Sequence, residues 1–277
     1  MADVFSTTTT QGTFLPDIWS KEMIIQRESV LVMANLVWRF DMDVASYGDI
    51  IHVPTVTNLT ASAISTADGQ LDAQSPTETQ KTITINQWIG ARMKVLDIVL
   101  AQSKYPFRKL YTEKMGYALG VQLEDTLLSN APSAAANVGT YQTNFADPDL
   151  RLAVQNLDSA RVPFEDRHLV ISPAQKNNIL GIDKFIRYDA TGSDRLVNVG
   201  RVPGELYGVV THVTPEVYVS AGNTSNLMFH KQFLGLAMQK DIKVESFARV
   251  GFLDDFGASQ LYGYSVMRSD HAVEVRS

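Results

Sequence analysis

Residues 49–95 read DIIHVPTVTNLTASAISTADGQLDAQSPTETQKTITINQWIGARMKV, a long Thr/Ser-rich stretch between two strongly patterned segments. From Pro54 to Lys81 only Asp68, Asp72, Glu78 and Lys81 carry charge. The turn signal is Asp68-Gly69, and Thr82-Ile83-Thr84-Ile85 alternates polar and apolar on the far side. Two extended limbs joined near such a turn make a long β-hairpin. At roughly 3.3 Å per residue the limb from Asp49 to Asp68 reaches about 60 Å. A compact body of this length has a radius of gyration of about 19 Å. Such an arm has little reason to exist unless it lies on a neighbouring molecule.

The 277-residue chain as a whole supports one large domain or two smaller ones, and 45% hydrophobic residues suffice for a substantial core. A net charge of −6 opposes a dedicated nucleic-acid binder, which shows a basic face. The absence of cysteine removes disulfides, thiolate zinc sites and cysteine nucleophiles, and fits synthesis in a reducing cytoplasm. MADVFSTTTTQGTF has neither the basic nor the apolar region of a secretory signal, and no apolar run has the length of a membrane span. Without a signal, Asn58-Leu59-Thr60 and Asn223-Thr224-Ser225 read as chance matches to the glycosylation pattern.

Along the chain, residues 1–15 form a polar tail, and an amphipathic helix begins at Pro16 and drifts into a strand near Val37–Phe40. After the hairpin, Trp88–Val95 continues as strand and Val95–Gln102 as a short helix. The strongest helix spans Pro106–Asn130, with Phe107, Leu110, Tyr111, Met115, Ala118, Leu119, Gln122 and Leu123 near one stripe. At 1.5 Å per residue it is about 37 Å long. Gly116 and Gly120 make a small-residue face on it. Residues 131–147 read as a linker, Leu150–Arg161 as an amphipathic helix, His168–Pro173 as a buried strand and Ala174–Leu180 as a short helix. A polar loop is expected over Tyr188–Gly204. Strands follow at Leu206–Val213, Val217–Val219, Leu227–Phe229, Ile242–Val244, Gln260–Arg268 and Ala272–Val275. The order predicts an α+β fold.

Catalytic chemistry is sparse. Phosphate-loop, dinucleotide and H-E-x-x-H patterns are missing. Gly263-Tyr264-Ser265-Val266-Met267 lacks the closing glycine of a nucleophile elbow, so Ser265 reads as a strand residue. His52, His168, His212, His230 and His271 are too scattered for local metal-ligand spacing. Asp41-Met42-Asp43 reads as a strand or turn with solvated carboxylates, and Asp254-Asp255 as a turn between strands. Glu165-Asp166-Arg167 reads as a solvated loop with a local ion pair. Lys104, Arg108 and Lys109 are expected to be solvated at the start of the long helix. No catalytic, cofactor-binding or metal-ligating residue is assigned, and no cofactor or enzymatic activity is expected.

The order of these elements resembles the major capsid proteins of tailed bacteriophages, the Hong Kong 97-like capsid fold. The resemblance rests on IIHVPTVTNLTASAISTADGQLDAQSPTETQKTITINQW, PFRKLYTEKMGYALGVQLEDTLLSN and DLRLAVQNLDSARVPFEDRHLVISPAQKNNIL. The helix followed by the Pro163–Pro173 strand is a frequent pattern in that family, and Gly204–Val210 (GELYGVV) is similar to a strand opening found there. It implies an N-terminal arm and helix over 1–40, an extended loop over 41–95, a peripheral domain from 96–147 and 227–277, and an axial domain over 148–226. It also implies a subunit that self-assembles, as pentamers and hexamers, into the icosahedral head shell. That shell encloses DNA without sequence-specific binding, is assembled in the host cytoplasm, and has no membrane contact. Scaffolding, portal and decoration proteins are the further partners it suggests. The alternatives are an encapsulin-like compartment shell, another phage structural protein, and an enzyme with a spatially assembled site.

Overall fold

The computed structural model describes residues 28–29, 31–44, 48–64, 73–102, 107–182, 204–247 and 251–277. The expected tail, most of the expected first helix, the Asp68-Gly69 turn, Lys104 and the loop over 188–203 lie outside the described residues. In chain order the elements are α1 (Met33–Leu36), β1 (Trp38–Arg39), α2 (Asp41–Val44), β2 (Ile50–Val56), β3 (Glu78–Leu96), α3 (Asp97–Gln102), α4 (Phe107–Leu128), β4 (Ala136–Val138), α5 (Asp147–Ser159), β5 (Arg167–Ile171) and α6 (Pro173–Ile179). There follow β6 (Glu205–Leu206), β7 (Val209–Val213), β8 (Tyr218–Ser220), β9 (Asn223–His230), β10 (Leu234–Ser246), β11 (Leu253–Val266) and β12 (Ala272–Arg276). The fold is α+β, as expected.

Two sheets organise these elements. The first runs β1-β10-β11-β3-β2 and is antiparallel apart from the short β1–β10 pair. The second runs β4-β12-β9-β5-β7-β6, with β8 also on β9, and is mixed, since β4–β12 and β5–β7 are parallel. The two β-hairpins β6–β7 and β8–β9 turn through Tyr207-Gly208 and Ala221-Gly222, each with two successive positive φ angles. That is the backbone of a type I′ turn, whose twist matches the flanking strands and which favours glycine at one of its centres.

α4 connects the sheets. Its middle sets Met115 and Leu119 against Val95, Phe256 and Ala258 of the five-stranded sheet. Its C-terminal half sets Leu123, Leu127 and Leu128 into a core with Phe229, Phe233, Leu234 and Tyr262, where both sheets contribute. On the far side of the seven-stranded sheet, α5 buries Leu150, Ala153 and Leu157 against Leu169, Ile171, Met228 and Val273. The start of α5 is fixed locally: Pro148 stands in the first turn, and the Asp149 carboxylate accepts the Ala146 N–H at 2.8 Å. At α6 the Ser172 hydroxyl accepts the Gln175 N–H at 3.3 Å, an ordinary N-cap bond. Gly120 is a close-approach point, since a Cβ there would meet Leu31 Cδ1 at 2.5 Å, whereas Gly116 faces open space.

Several expectations require correction. Residues 131–147 are not a plain linker, because they hold a 3₁₀ turn (Ala131–Ser133) and β4, which extends the sheet edge beside β12. Short parallel pairing carries little sequence signal when the strand has three residues. Asp41 lies in α2 and accepts the Met238 N–H at 2.8 Å as well as the Arg39 guanidinium at 2.6 Å. Asp254 and Asp255 lie within β11 rather than in a turn. Arg167 is not solvated: its side chain is 2% exposed and donates to Asp158 at 2.7 Å and to the carbonyls of Val162 and Pro163 at 2.6 and 2.8 Å. Leu206–Val213 is two strands, broken by the Tyr207-Gly208 turn. In the described part of the first segment, only Met33–Leu36 is helical before β1.

Candidate assembly surfaces

The hairpin predicted between Asp49 and Val95 is present. β2 pairs antiparallel with β3 from Ile50↔Thr84 to Val56↔Glu78. β3 is one continuous strand of 19 residues with two environments. From Ile83 to Val95 its odd-numbered residues turn inward, and Ile83, Ile85 and Val95 are buried; Ile51, Val53 and Phe40 pack on the Ile83–Ile85 cluster. Every described residue from Pro54 to Thr82 is exposed. The hairpin therefore leaves the body at Ile83. Beyond the ladder its limbs stay joined by side chains: Thr57 Oγ1 donates to the Thr77 carbonyl at 2.6 Å, and the Gln74 amide bonds with both the N–H and the carbonyl of Thr60. Val56, Leu59 and Ile64 point apolar surface into solvent. A two-stranded ribbon without a packed face is marginal in water.

A second exposed surface lies on the five-stranded sheet, on the face away from α4. Alternation along β3 puts Ile89, Ala91 and Met93 toward α4 and Trp88, Gly90 and Arg92 outward. Trp88 is 77% exposed. With Phe247, Glu245, Gly257 and Ser259 these outward residues line a shallow groove of about 250 Å³. The Arg92 guanidinium crosses the Phe247 ring at 4.8 Å and donates Nε–H to Asp255 Oδ1 at 2.9 Å. That side-chain hydrogen bond from Arg92 holds the Asp255 carboxyl below its ordinary value and Arg92 above its own. At the end of the same sheet Leu96, Ile98, Val99 and Phe252 are exposed together, where Leu253 pairs with Leu96. The Trp88 signal was present in the sequence: it has the opposite parity to Ile83, Ile85 and Ile89 in one alternating strand.

A third feature is acidic. Glu124 is buried on α4 and accepts the N–H of Val32 at 3.0 Å and of Met33 at 2.9 Å. Burial pushes its carboxyl up, the two N–H bonds oppose this, and Glu216 and Asp125 add to it. Asp125, raised by burial and by Glu216, lines a cavity of about 510 Å³ with Glu216, Gln122, Tyr218 and Tyr264. The Ser29 hydroxyl donates to Glu216 at 3.1 Å beside the same cavity. The segment preceding α1 is thus fastened along α4.

The residues singled out for chemistry are distributed as follows. Ser265 lies in β11 as expected. Lys109 and Glu113 are both exposed and meet at 4.0 Å near the start of α4. His52 is exposed on the arm, whereas the other four histidines meet in two pairs, His168 with His212 and His230 with His271. Their spacing in sequence hides this, because β5–β7 pairing brings the first two together and β9–β12 pairing the other two. Among the described residues no group of three or more His, Asp or Glu side chains is arranged to hold a metal ion. Among the described residues no helix is long and apolar enough to cross a membrane.

The family model described as phage capsid protein matches residues 77–275. No curated protein matches the chain by sequence comparison. Among solved structures, the chain is similar to one from Mycobacterium phage Che8, at 22% identity over 95% of this chain and 97% of that one, with a TM-score of 0.84. It is similar to the capsid of the cyanophage P-SCSP1u at 18% identity, 98% and 96% coverage and a TM-score of 0.78. A third similar chain is from the capsid of a native GTA particle, at 12% identity, 99% coverage of both chains and a TM-score of 0.73. The chain belongs to the phage capsid protein family and has the Hong Kong 97-like fold of a tailed-phage major capsid protein.

Proposed function

We propose that this protein tiles the phage head as pentamers and hexamers of itself, with the arm from Pro54 to Thr82 laid on an adjacent subunit. One observation carries the reading: every described residue of the arm from Pro54 to Thr82 is exposed on its own chain, while among the described residues a groove around Trp88 and Phe247 stays open. Extended strands can add main-chain hydrogen bonds to a neighbour, and many weak repeated contacts sum to a stable shell. The division into N-terminal arm (1–40), extended loop (41–95), peripheral domain (96–147 and 227–277) and axial domain (148–226) belongs to this reading, with α4 and the seven-stranded sheet as the wall shared by the last two. The location is the virion capsid, after assembly in the host cytoplasm. The role is structural rather than enzymatic. A net charge of −6 suits a shell that encloses DNA without gripping it, while scaffolding, portal and decoration proteins are its further partners.

Electron microscopy of the purified, overexpressed protein tests the reading. Closed shells of uniform size are expected. Tubes, or a stable globular monomer at high concentration, would contradict it.

A further inference from the structure

Four histidines meet at the strand ends of the seven-stranded sheet. His168 (β5) and His212 (β7) approach with Nδ1 and Nε2 at 3.4 Å. His230 closes β9, and His271 closes the 3₁₀ turn (Ser269–His271) that leads into β12; their Nδ1 atoms are 3.4 Å apart. His230 and His271 are 6% and 4% exposed. His230 also lines a cavity of about 310 Å³ with Asp166, Glu165 and Lys231.

The bonding around the second pair selects one protonation state. The Gln232 N–H donates to His230 Nδ1 at 3.2 Å, so that nitrogen is an acceptor and its ring carries its proton on Nε2. His271 must then donate from Nδ1, which leaves its Nε2 as the acceptor facing Arg268 Nη1 at 3.5 Å. A second proton on His271 would set an N–H against the Arg268 guanidinium. A proton on His230 Nδ1 would set three N–H groups against one another. In the first pair only one proton fits between His168 Nδ1 and His212 Nε2, so two imidazolium rings would face donor to donor.

We propose that the two histidine pairs are an acid-sensitive latch on the seven-stranded sheet, closed while the rings are neutral and opened when they take up protons. Opening frees the start of β12 from β9 and loosens β7 on β5. The charged groups around the latch are mixed. His168 faces Asp166 and Lys231, and His230 faces Asp166, Arg167 and Arg268. His271 faces Asp270 and Arg268. Asp270 stands 4.0 Å from His271 and is largely exposed, so its pull is screened. Burial is the foremost cause holding all four imidazoles below their ordinary value. Unfolded histidines take up protons near pH 6.5, and the folded ones only at lower pH. Between those values the unfolded chain binds more protons, so stability is complete above about pH 6.5 and falls as the pH is lowered. Glu124 and Asp125, raised in the folded state, act in the opposite sense at lower pH.

The test is thermal unfolding of the full chain at pH 7.5 and 5.5, for the wild type and for the double variant His212→Gln, His271→Gln. Glutamine keeps a donor and an acceptor but does not titrate. The wild-type midpoint should fall by about 5 °C or more across this interval, and that of the variant by less than half as much. An equal fall in both would overturn the proposal. If the variant does not fold, nitrogen-15 NMR of the wild-type imidazoles decides. Neutral tautomers with midpoints below the ordinary value of about 6.5 support the latch, and midpoints at or above it contradict it.

Discussion

The Glu124 carboxylate, near the C-terminal end of α4, accepts the backbone N–H of Met33 at 2.9 Å across 91 positions of sequence. With its bonds to Val32 it caps the first turn of α1, where no local side chain does so. Glu124→Ala leaves those N–H groups without a partner and should cost about 3 kcal/mol in urea unfolding, with a smaller loss for Glu124→Gln, which keeps one acceptor. Equal stability of the alanine variant and the wild type would remove this contact from the account.

Gly263 sits in β11 opposite the root of the arm, at the register shift after Tyr262. A Cβ there would meet the Thr84 carbonyl oxygen at 2.4 Å and Ile85 Cα at 2.8 Å. Both are backbone atoms and cannot rotate aside. Gly263→Ala is expected to destabilise the chain by about 3 kcal/mol and to raise hydrogen exchange at Ile83–Ile85. An unchanged midpoint would show that the two strands part more easily than this packing implies.

Glu274 on β12 is buried, which raises its carboxyl, yet bonds from Ser225 at 2.6 Å, Tyr141 at 2.7 Å and Arg276 at 3.0 Å bring it below its ordinary value. Its contribution is present above about pH 4.3, the unfolded value, and is lost as the pH falls through the lower folded value. Glu274→Gln should therefore be less stable than the wild type at pH 7, and the gap should narrow below pH 4. Denaturant midpoints at the two pH values measure this, and a gap that stays constant would contradict it.

Trp88 belongs to the surface rather than to the core. Trp88→Ser should leave the unfolding free energy of the subunit within about 0.5 kcal/mol of wild type. The same change should lower the yield of closed shells in size-exclusion chromatography, since exposed aromatic anchors carry much of an interface's energy. A full yield of shells from the variant would locate the arm contact elsewhere.

How far the sequence discloses the molecule depends on the range of the interaction. β3 was legible because Thr82–Ile85 and Ile89–Val95 alternate, and α4 because Met115, Leu119 and Leu123 recur at helical spacing. The short β4 was not, since its strand partner, β12, lies far along the chain. Arg167 reads as a solvated charge and Asp255 as a turn residue because their partners, Asp158 and Arg92, are brought in by tertiary packing. The histidine pairs were hidden for the same reason: residues 44 and 41 positions apart meet only after the strands register. The arm was the opposite case, since its length and low charge already exceeded what one body can bury.

The most direct measurement is a cryo-electron-microscopy map of the assembled shell in which the arm can be traced. Residues 54–82 should leave their own subunit at Ile83 and lie across the Trp88–Phe247 face of an adjacent one. Density showing the arm folded back on its own body, with that face open, would contradict it.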